Sequence, residues 1–188
     1  MNKKIKKIFL LFLAIILISC KKSTRNSDSL KETVKTTLGT KLVLSENIYL
    51  YKPFKSYKLD SIKIKNADFK IYSLINASCG DCINKINNWE IFSKELNNYE
   101  IPIILIFRSN DNFELLKNML DMNKVNPFPY PFLFDYKNEL IKSNRFMEES
   151  DSFMTILTDN NNSILLMGDP LNSEKIKTLY LNKIQKNN

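Results

Sequence analysis

Apolar and polar residues follow one another along the chain in blocks whose periods assign most of its elements. Leu42, Leu44, Ile48, Leu50 and Phe54 sit among polar neighbours at roughly alternating spacing, which predicts a short extended arm or hairpin. Ser61 to Asn66 alternates in the same way through Ile62 and Ile64. Phe69 to Ile75 is a strand candidate. Beyond it Ile83, Ile86, Trp89, Phe92 and Leu96 recur at three- and four-residue spacing, the single apolar stripe of an amphipathic helix. Ile101 to Phe107 is almost wholly apolar, as in a central strand covered on both faces. Asp111 to Met122 follows as a second helix, with Ser109, Asn110 and Asp111 as its caps. Pro127, Pro129 and Pro131 forbid helix, and Phe132 to Phe134 resumes extended structure. Met154 to Leu157 and Ile164 to Met167 form a hairpin turned at Asn160-Asn161-Asn162, because asparagine tolerates positive φ. Ser173 to Ile184 closes the chain as a helix with Ile176, Leu179, Tyr180 and Ile184 inward. The order β-α-β-α, then a Pro-rich passage, then β-β-α requires parallel strands early and antiparallel ones late. The economical solution is an α/β fold, a mixed sheet with helices on both faces and an N-terminal extended arm.

The first residues follow a different logic. Lys3, Lys4, Lys6 and Lys7 form a basic leader, and Ile8 to Ile18 is an unbroken apolar run of eleven residues. Such a run suits a signal-peptide core and is too short to cross a bilayer of ~30 Å as a helix. It ends in Leu17-Ile18-Ser19-Cys20, which resembles the bacterial lipobox. That resemblance implies cleavage after Ser19 and acylation of the Cys20 thiol, where a plain membrane anchor would explain neither residue. Lys21 to Thr40 is polar and charged, and reads as a flexible tether. The expected organisation is a leader over 1–19, a lipidated cysteine and tether over 20–40, and one domain over 41–188, held on the envelope membrane and facing the periplasm.

Composition changes the picture in two ways. The formal charge of +8 falls to +4 once the leader, with four lysines and no acids, is set aside. The remaining charge is dispersed and is not a nucleic-acid footprint. Of the three cysteines one is assigned to lipid, and the other two stand as Cys79-Gly80-Asp81-Cys82. There is no histidine, which excludes Ser-His and Cys-His catalysis and imidazole ligation of metals, so no metal or cofactor is expected.

Strand, Cys-x-x-Cys, then helix is the arrangement that thiol–disulfide exchange requires. The first cysteine sits at a helix N-terminus, where unpaired N–H groups stabilise a thiolate, and the second lies one turn on, within reach of it. Gly80 and Asp81 would tune the pair; Asp81 could equally cap the helix, or pair with Lys85. The segments Leu74 to Cys82, Tyr130 to Asp135 and Thr155 to Asp159 resemble the thioredoxin superfamily, in particular its TlpA-like and redoxin branch of envelope lipoproteins. The resemblance spans roughly Lys41 to Ile184. It implies a thioredoxin-like fold, Cys79 as attacking nucleophile and Cys82 as resolving cysteine. Its partners would be disulfide-containing envelope proteins and an upstream thiol electron donor. A substrate-pairing loop would lie at Phe153, Met154 and Thr155.

The chain departs from that pattern at three positions. Met154 stands where the family carries a cis-proline, and a cis Phe153–Met154 bond would cost ~3 kcal/mol, so trans is expected. Ser73 replaces a buried acid, leaving proton transfer to Cys82 to water or to another carboxylate. Ser78 replaces a tryptophan. Asn76, where a peroxiredoxin would have threonine, speaks against a peroxidatic role. The alternative to redox turnover is a binding module in which the Cys79–Cys82 disulfide is purely structural.

Overall fold

A computed structural model describes residues 27–55, 57 and 61–186; the leader and Cys20 lie outside the described residues. The described residues divide into two units at Thr36/Thr37. A helix, α1, runs over 27–37, with Lys31 donating to Asp28 at 3.1 Å. Much of the expected tether is thus helical. Leu30, Val34 and Thr37 fall at i, i+4 and i+7, a weak stripe that polar composition obscures. The second unit opens a few residues before Lys41. Gly39 donates to the Ile164 carbonyl at 2.8 Å, Leu42 to that of Asn162 at 2.8 Å, and Lys41 bridges Ser163.

The described elements of this unit are β1 (Tyr49–Tyr51), α2 (Ser61–Asn66), β2 (Phe69–Asn76), α3 (Gly80–Glu95), β3 (Ile103–Arg108), α4 (Glu114–Asp121), β4 (Phe132–Phe134), α5 (Glu139–Ser143), β5 (Thr155–Asp159), β6 (Ile164–Met167) and α6 (Glu174–Gln185). The strands form one six-stranded sheet in the order β1-β4-β3-β2-β5-β6. β2 runs parallel to β3 and β3 to β4, while β1, β5 and β6 pair antiparallel to their neighbours. The expected mixed sheet flanked by helices is therefore the observed one, with the arm supplying β1.

The core follows the apolar pattern. β2 is buried from Phe69 to Ile75, as a central strand covered on both faces must be. Ile83, Ile86, Trp89, Phe92 and Leu96 are all buried in the same core, each stabilising by about 1.5–3 kcal/mol relative to exposure. On α6 the inward residues are Ile176, Tyr180, Leu181 and Ile184, whereas Leu179, expected inward, is 43% exposed. The stripe through Ile176, Tyr180 and Ile184 is flanked by Leu181 on one side, and Leu179 falls on the other, away from the core.

Two expected elements differ. Ser61–Asn66 is helical, not extended. Two isoleucines over six residues do not separate a period of 2 from one of 3.6, and among the described residues no strand pairs with this segment. The helix expected over 111–122 is confined to Glu114–Asp121, because Asn112 (φ 53°) and Phe113 (φ 65°) are left-handed. Phe113 holds that conformation while buried and stacked on Phe134, ring centres 4.1 Å apart. Helix α5 carries no clear periodic signal in sequence. It is set by Asp135, whose buried carboxylate accepts from the Glu139 and Leu140 amides at 2.9 Å each. Just beyond it Asn144 locks the arm, accepting from the Val43 amide at 2.9 Å and donating to its carbonyl at 2.8 Å.

Candidate active site

β2 delivers the chain to the dithiol. At its end Ala77 donates to the Arg108 carbonyl at 2.8 Å, tying the turn to β3, and the Asn76 side chain accepts from the Ser78 amide at 3.0 Å. Cys79 then takes extended backbone (φ −130°, ψ 113°) as the N-cap of α3. Its sulfur accepts from the Cys82 amide at 3.3 Å, and its carbonyl takes the first helical bond, from Ile83, at 3.0 Å. A sulfur at this position meets the unpaired N–H groups and the positive end of the helix dipole. Cys79 and Cys82 are joined in a disulfide, their Cα atoms 5.2 Å apart, and both are half-buried.

The residues between them behave differently from each other. A Cβ at Gly80 would meet no atom within 4 Å beyond its chain neighbours and its own helix backbone, so the space at that position is open. Asp81 is exposed on the first turn, and the capping function is filled by the Cys79 sulfur instead. Nor does Asp81 pair with Lys85. The Lys85 ammonium turns to the loop after β6 and lies 3.8 Å from Asp169, whose side chain is only 13% exposed. A partner held away from water attracts the cation more strongly than a carboxylate at the helix tip.

Ser78 is fastened to the β3–α4 loop. Its hydroxyl donates to Asp111 at 2.8 Å and accepts from the Asn110 amide at 2.8 Å, while Ser109 also donates to Asp111. Asp111 further accepts from the Leu115 amide at 3.1 Å. The Ser109 hydroxyl and these other donors hold the Asp111 carboxyl below the usual range. The N-cap of α4 is Phe113 and not one of the three expected residues, but Ser109 takes the Phe113 amide at 2.8 Å and Asp111 the Leu115 amide, and both also hold the residue preceding Cys79.

Behind the disulfide lies a cavity of about 300 Å³ with Cys82 in its wall. Phe153 is buried, and Met154 lines this cavity beside Thr155. Among the described residues no peptide bond is cis, so Phe153–Met154 is trans, at the end of a 3₁₀ turn over Asp151–Met154. Thr155 and Ser73 are buried with their hydroxyls 2.9 Å apart. Three ionisable contributors escaped the sequence reading, Arg108, Asp151 and Asp169, which line the same cavity. The only hint of Asp169 was its place in a Gly-Asp-Pro strand breaker. Among the described residues no cluster of His, Cys, Asp and Glu could hold a metal ion.

A six-stranded mixed sheet with a Cys-x-x-Cys disulfide at the junction of its central strand and a helix defines a thioredoxin-like fold. A solved structure described as the thiol:disulfide interchange protein DsbE from Chlorobium tepidum matches with a TM-score of 0.51 at 15% identity, covering 78% of this chain and 97% of that one. A protein disulfide isomerase, so described, from Bacteroides thetaiotaomicron matches with a TM-score of 0.48 at 15% identity, over 79% and 86% of the two chains. The thioredoxin domain of a thiol-disulfide oxidoreductase from Bacteroides vulgatus matches with 0.43 at 12%, over 76% and 96%. No protein-family model and no curated protein matches the sequence.

Proposed function

We propose that this chain is a lipid-anchored envelope thiol–disulfide oxidoreductase, working through Cys79 and Cys82 as a reductant or isomerase. The observation that carries the reading is the placement of Cys79 as the N-cap of α3, with Cys82 one turn on and disulfide-bonded to it. The reduced pair would work in the usual sequence. The Cys79 thiolate, facing the helix N-terminus, attacks a client disulfide, and Cys82 resolves the mixed disulfide. The open space at Gly80 supports approach of a client, with the backbone of Phe153, Met154 and Thr155 as the pairing edge. Clients would be disulfide-containing envelope proteins, and an upstream dithiol would return the electrons. Acylation of Cys20 would hold the domain at the membrane.

The test is a reduction potential together with disulfide-reductase turnover. A pair that exchanges with dithiol buffers and turns over a disulfide peptide supports the reading. A pair that stays closed under mild reductant, with no turnover, identifies a structural disulfide in a binding module.

A further inference from the structure

The dithiol cycle leaves one proton without an evident destination. Cys82 must lose it before its sulfur can attack, and the β2 residues in the cavity wall, Ser73, Leu74, Ile75 and Asn76, include no acid; the Ser73 hydroxyl is already paired with Thr155 at 2.9 Å. Four ionisable side chains share the cavity wall with Cys82: Lys85, Arg108, Asp151 and Asp169. Arginine does not release its proton in proteins and so takes none up. Asp151 is exposed on a 3₁₀ turn. Asp169 alone is an acid withdrawn from water, 13% exposed, and it carries the Lys85 ammonium 3.8 Å away. Lys85 lies three residues after Cys82 on α3, on the same side of the helix.

We propose that Asp169, paired with Lys85, is the proton acceptor for Cys82, communicating through the polar cavity they share. The inference rests on the oxidoreductase reading of the dithiol. In the step, the Cys79 thiolate has displaced one client thiolate and is joined to the other client sulfur. The Cys82 thiol gives its proton to the Asp169 carboxylate while its sulfur bonds to Cys79 Sγ. The bond from Cys79 to the client sulfur breaks, and the leaving client thiolate takes the proton back. Two electrons pass from the dithiol to the client disulfide, and an upstream dithiol later restores the reduced pair. The Lys85 ammonium, 3.8 Å from Asp169, offsets the negative charge that builds on Cys82. The cavity is large and polar enough to hold bridging water. The groups facing Asp169 are Lys85 from α3, Arg108 from β3, Asp151 from the 3₁₀ turn, and Tyr180 from α6, whose hydroxyl donates to the Gly168 carbonyl at 2.9 Å.

Asp169 also accepts from the Leu171 amide and the Asn172 side chain at 2.8 Å each, so a structural role has to be separated from a proton-transfer role. Asp169→Asn keeps an oxygen for the Leu171 amide but removes the basicity together with the charge that pairs with Lys85 and the oxygen that accepts from Asn172, so the rate alone does not separate the roles. Two readouts on full-length protein in detergent distinguish the roles. In single-turnover reduction of a disulfide peptide, Asp169→Asn should slow resolution by about a hundredfold in mildly acidic buffer. The Cys79–peptide mixed disulfide then accumulates, the defect shrinks as pH rises, and Asp169→Glu recovers part of the rate. In the Cys20→Ser/Cys79→Ser background, thiolate absorbance reports Cys82 alone. There Asp169→Asn should lower the Cys82 pKa, since a neighbouring negative charge is gone. Slower resolution combined with easier ionisation is a pairing that loosened structure does not produce. An unchanged pH profile, or an unchanged Cys82 titration, overturns the inference. Absence of peptide reduction by the unmutated protein instead overturns the oxidoreductase reading on which it rests.

Discussion

Ser73 and Thr155 face each other across β2 and β5 with their hydroxyls 2.9 Å apart, both buried, in the wall of the cavity that holds Cys82. A buried hydroxyl left without a partner costs about 1–3 kcal/mol, whereas removing both partners together costs much less. Thr155→Val should therefore lower the unfolding free energy by roughly that amount, and adding Ser73→Ala should recover part of it. Urea unfolding of the two single variants and the double one measures the coupling. Strictly additive losses would mean that the pair carries no net interaction.

The two cysteines should trap clients unequally. With Cys82→Ser, Cys79 can attack but nothing resolves, so mixed disulfides with envelope proteins should accumulate on non-reducing gels. Cys79→Ser should trap little, because Cys82 faces the cavity behind the first turn of α3. Equal trapping by both variants counts against the assigned roles.

Acylation is tested at Cys20. Cys20→Ser should abolish incorporation of a metabolic lipid label and leave an uncleaved precursor, because the thiol is the acylated group. Stable membrane attachment takes two acyl chains, or one chain with a basic patch such as Lys21 and Lys22 would offer. Label entering the Cys20→Ser protein would remove the lipoprotein reading.

Why some of this was legible in sequence and some not has a physical pattern. The apolar stripe from Ile83 to Leu96 and the solid run through Ile103 to Phe107 are periodic over enough residues to fix their elements, and both are buried as expected. The dithiol was visible because its chemistry is local, two cysteines three positions apart at a strand–helix junction. What escaped depends on contacts between distant residues. Lys70 looks like a solvent-facing strand lysine, yet it is buried and donates to the carbonyls of Lys65 at 3.2 Å and Asn160 at 2.9 Å. Burial pushes its pKa down. Asp169 meets Lys85 across 84 positions of chain, and no local rule pairs them. Short helices such as Ser61–Asn66 and Glu139–Ser143 hold too few residues for a period to be read.

Acid should weaken the loop that carries Ser78. Hydrogen bonds from Ser109, Ser78 and the Leu115 amide favour the ionised Asp111 and lower its folded pKa. A carboxyl with a depressed folded pKa contributes stability that is fully present above its unfolded value of about 3.9 and is lost as pH falls through the folded value. Asp111→Asn should therefore be less stable than the unmutated protein at neutral pH. The difference should narrow on acidification below about pH 4. Urea unfolding at a series of pH values measures this; a difference that stays constant through the acid range would mean Asp111 does not titrate with folding.

The direction of redox chemistry is the remaining prediction, and it turns on what surrounds Cys79. A lower thiolate pKa stabilises the reduced form and makes a stronger oxidant, while a higher one favours a reductant. The helix N-terminus lowers it, by about 0.3–1 kcal/mol for an exposed site. Asp81 works against this, since its carboxylate sits on the first turn of α3 without Lys85 beside it, and like charge disfavours the thiolate. The Lys85 cation, four residues on from Asp81, is turned toward Asp169 on the Cys82 side of the disulfide and does not offset it. With the two effects roughly cancelling, Cys79 should behave as a nearly ordinary thiol. The pair should then have a potential on the reducing side of about −200 mV. Asp81→His should lower the Cys79 pKa and raise the potential, because it replaces the opposing charge with a group that can be cationic. Equilibration with glutathione buffers, read by alkylation of the free thiols, gives both potentials. A value near −120 mV for the unmutated protein would make it an oxidant, and a more reducing Asp81→His variant would refute the role given to Asp81.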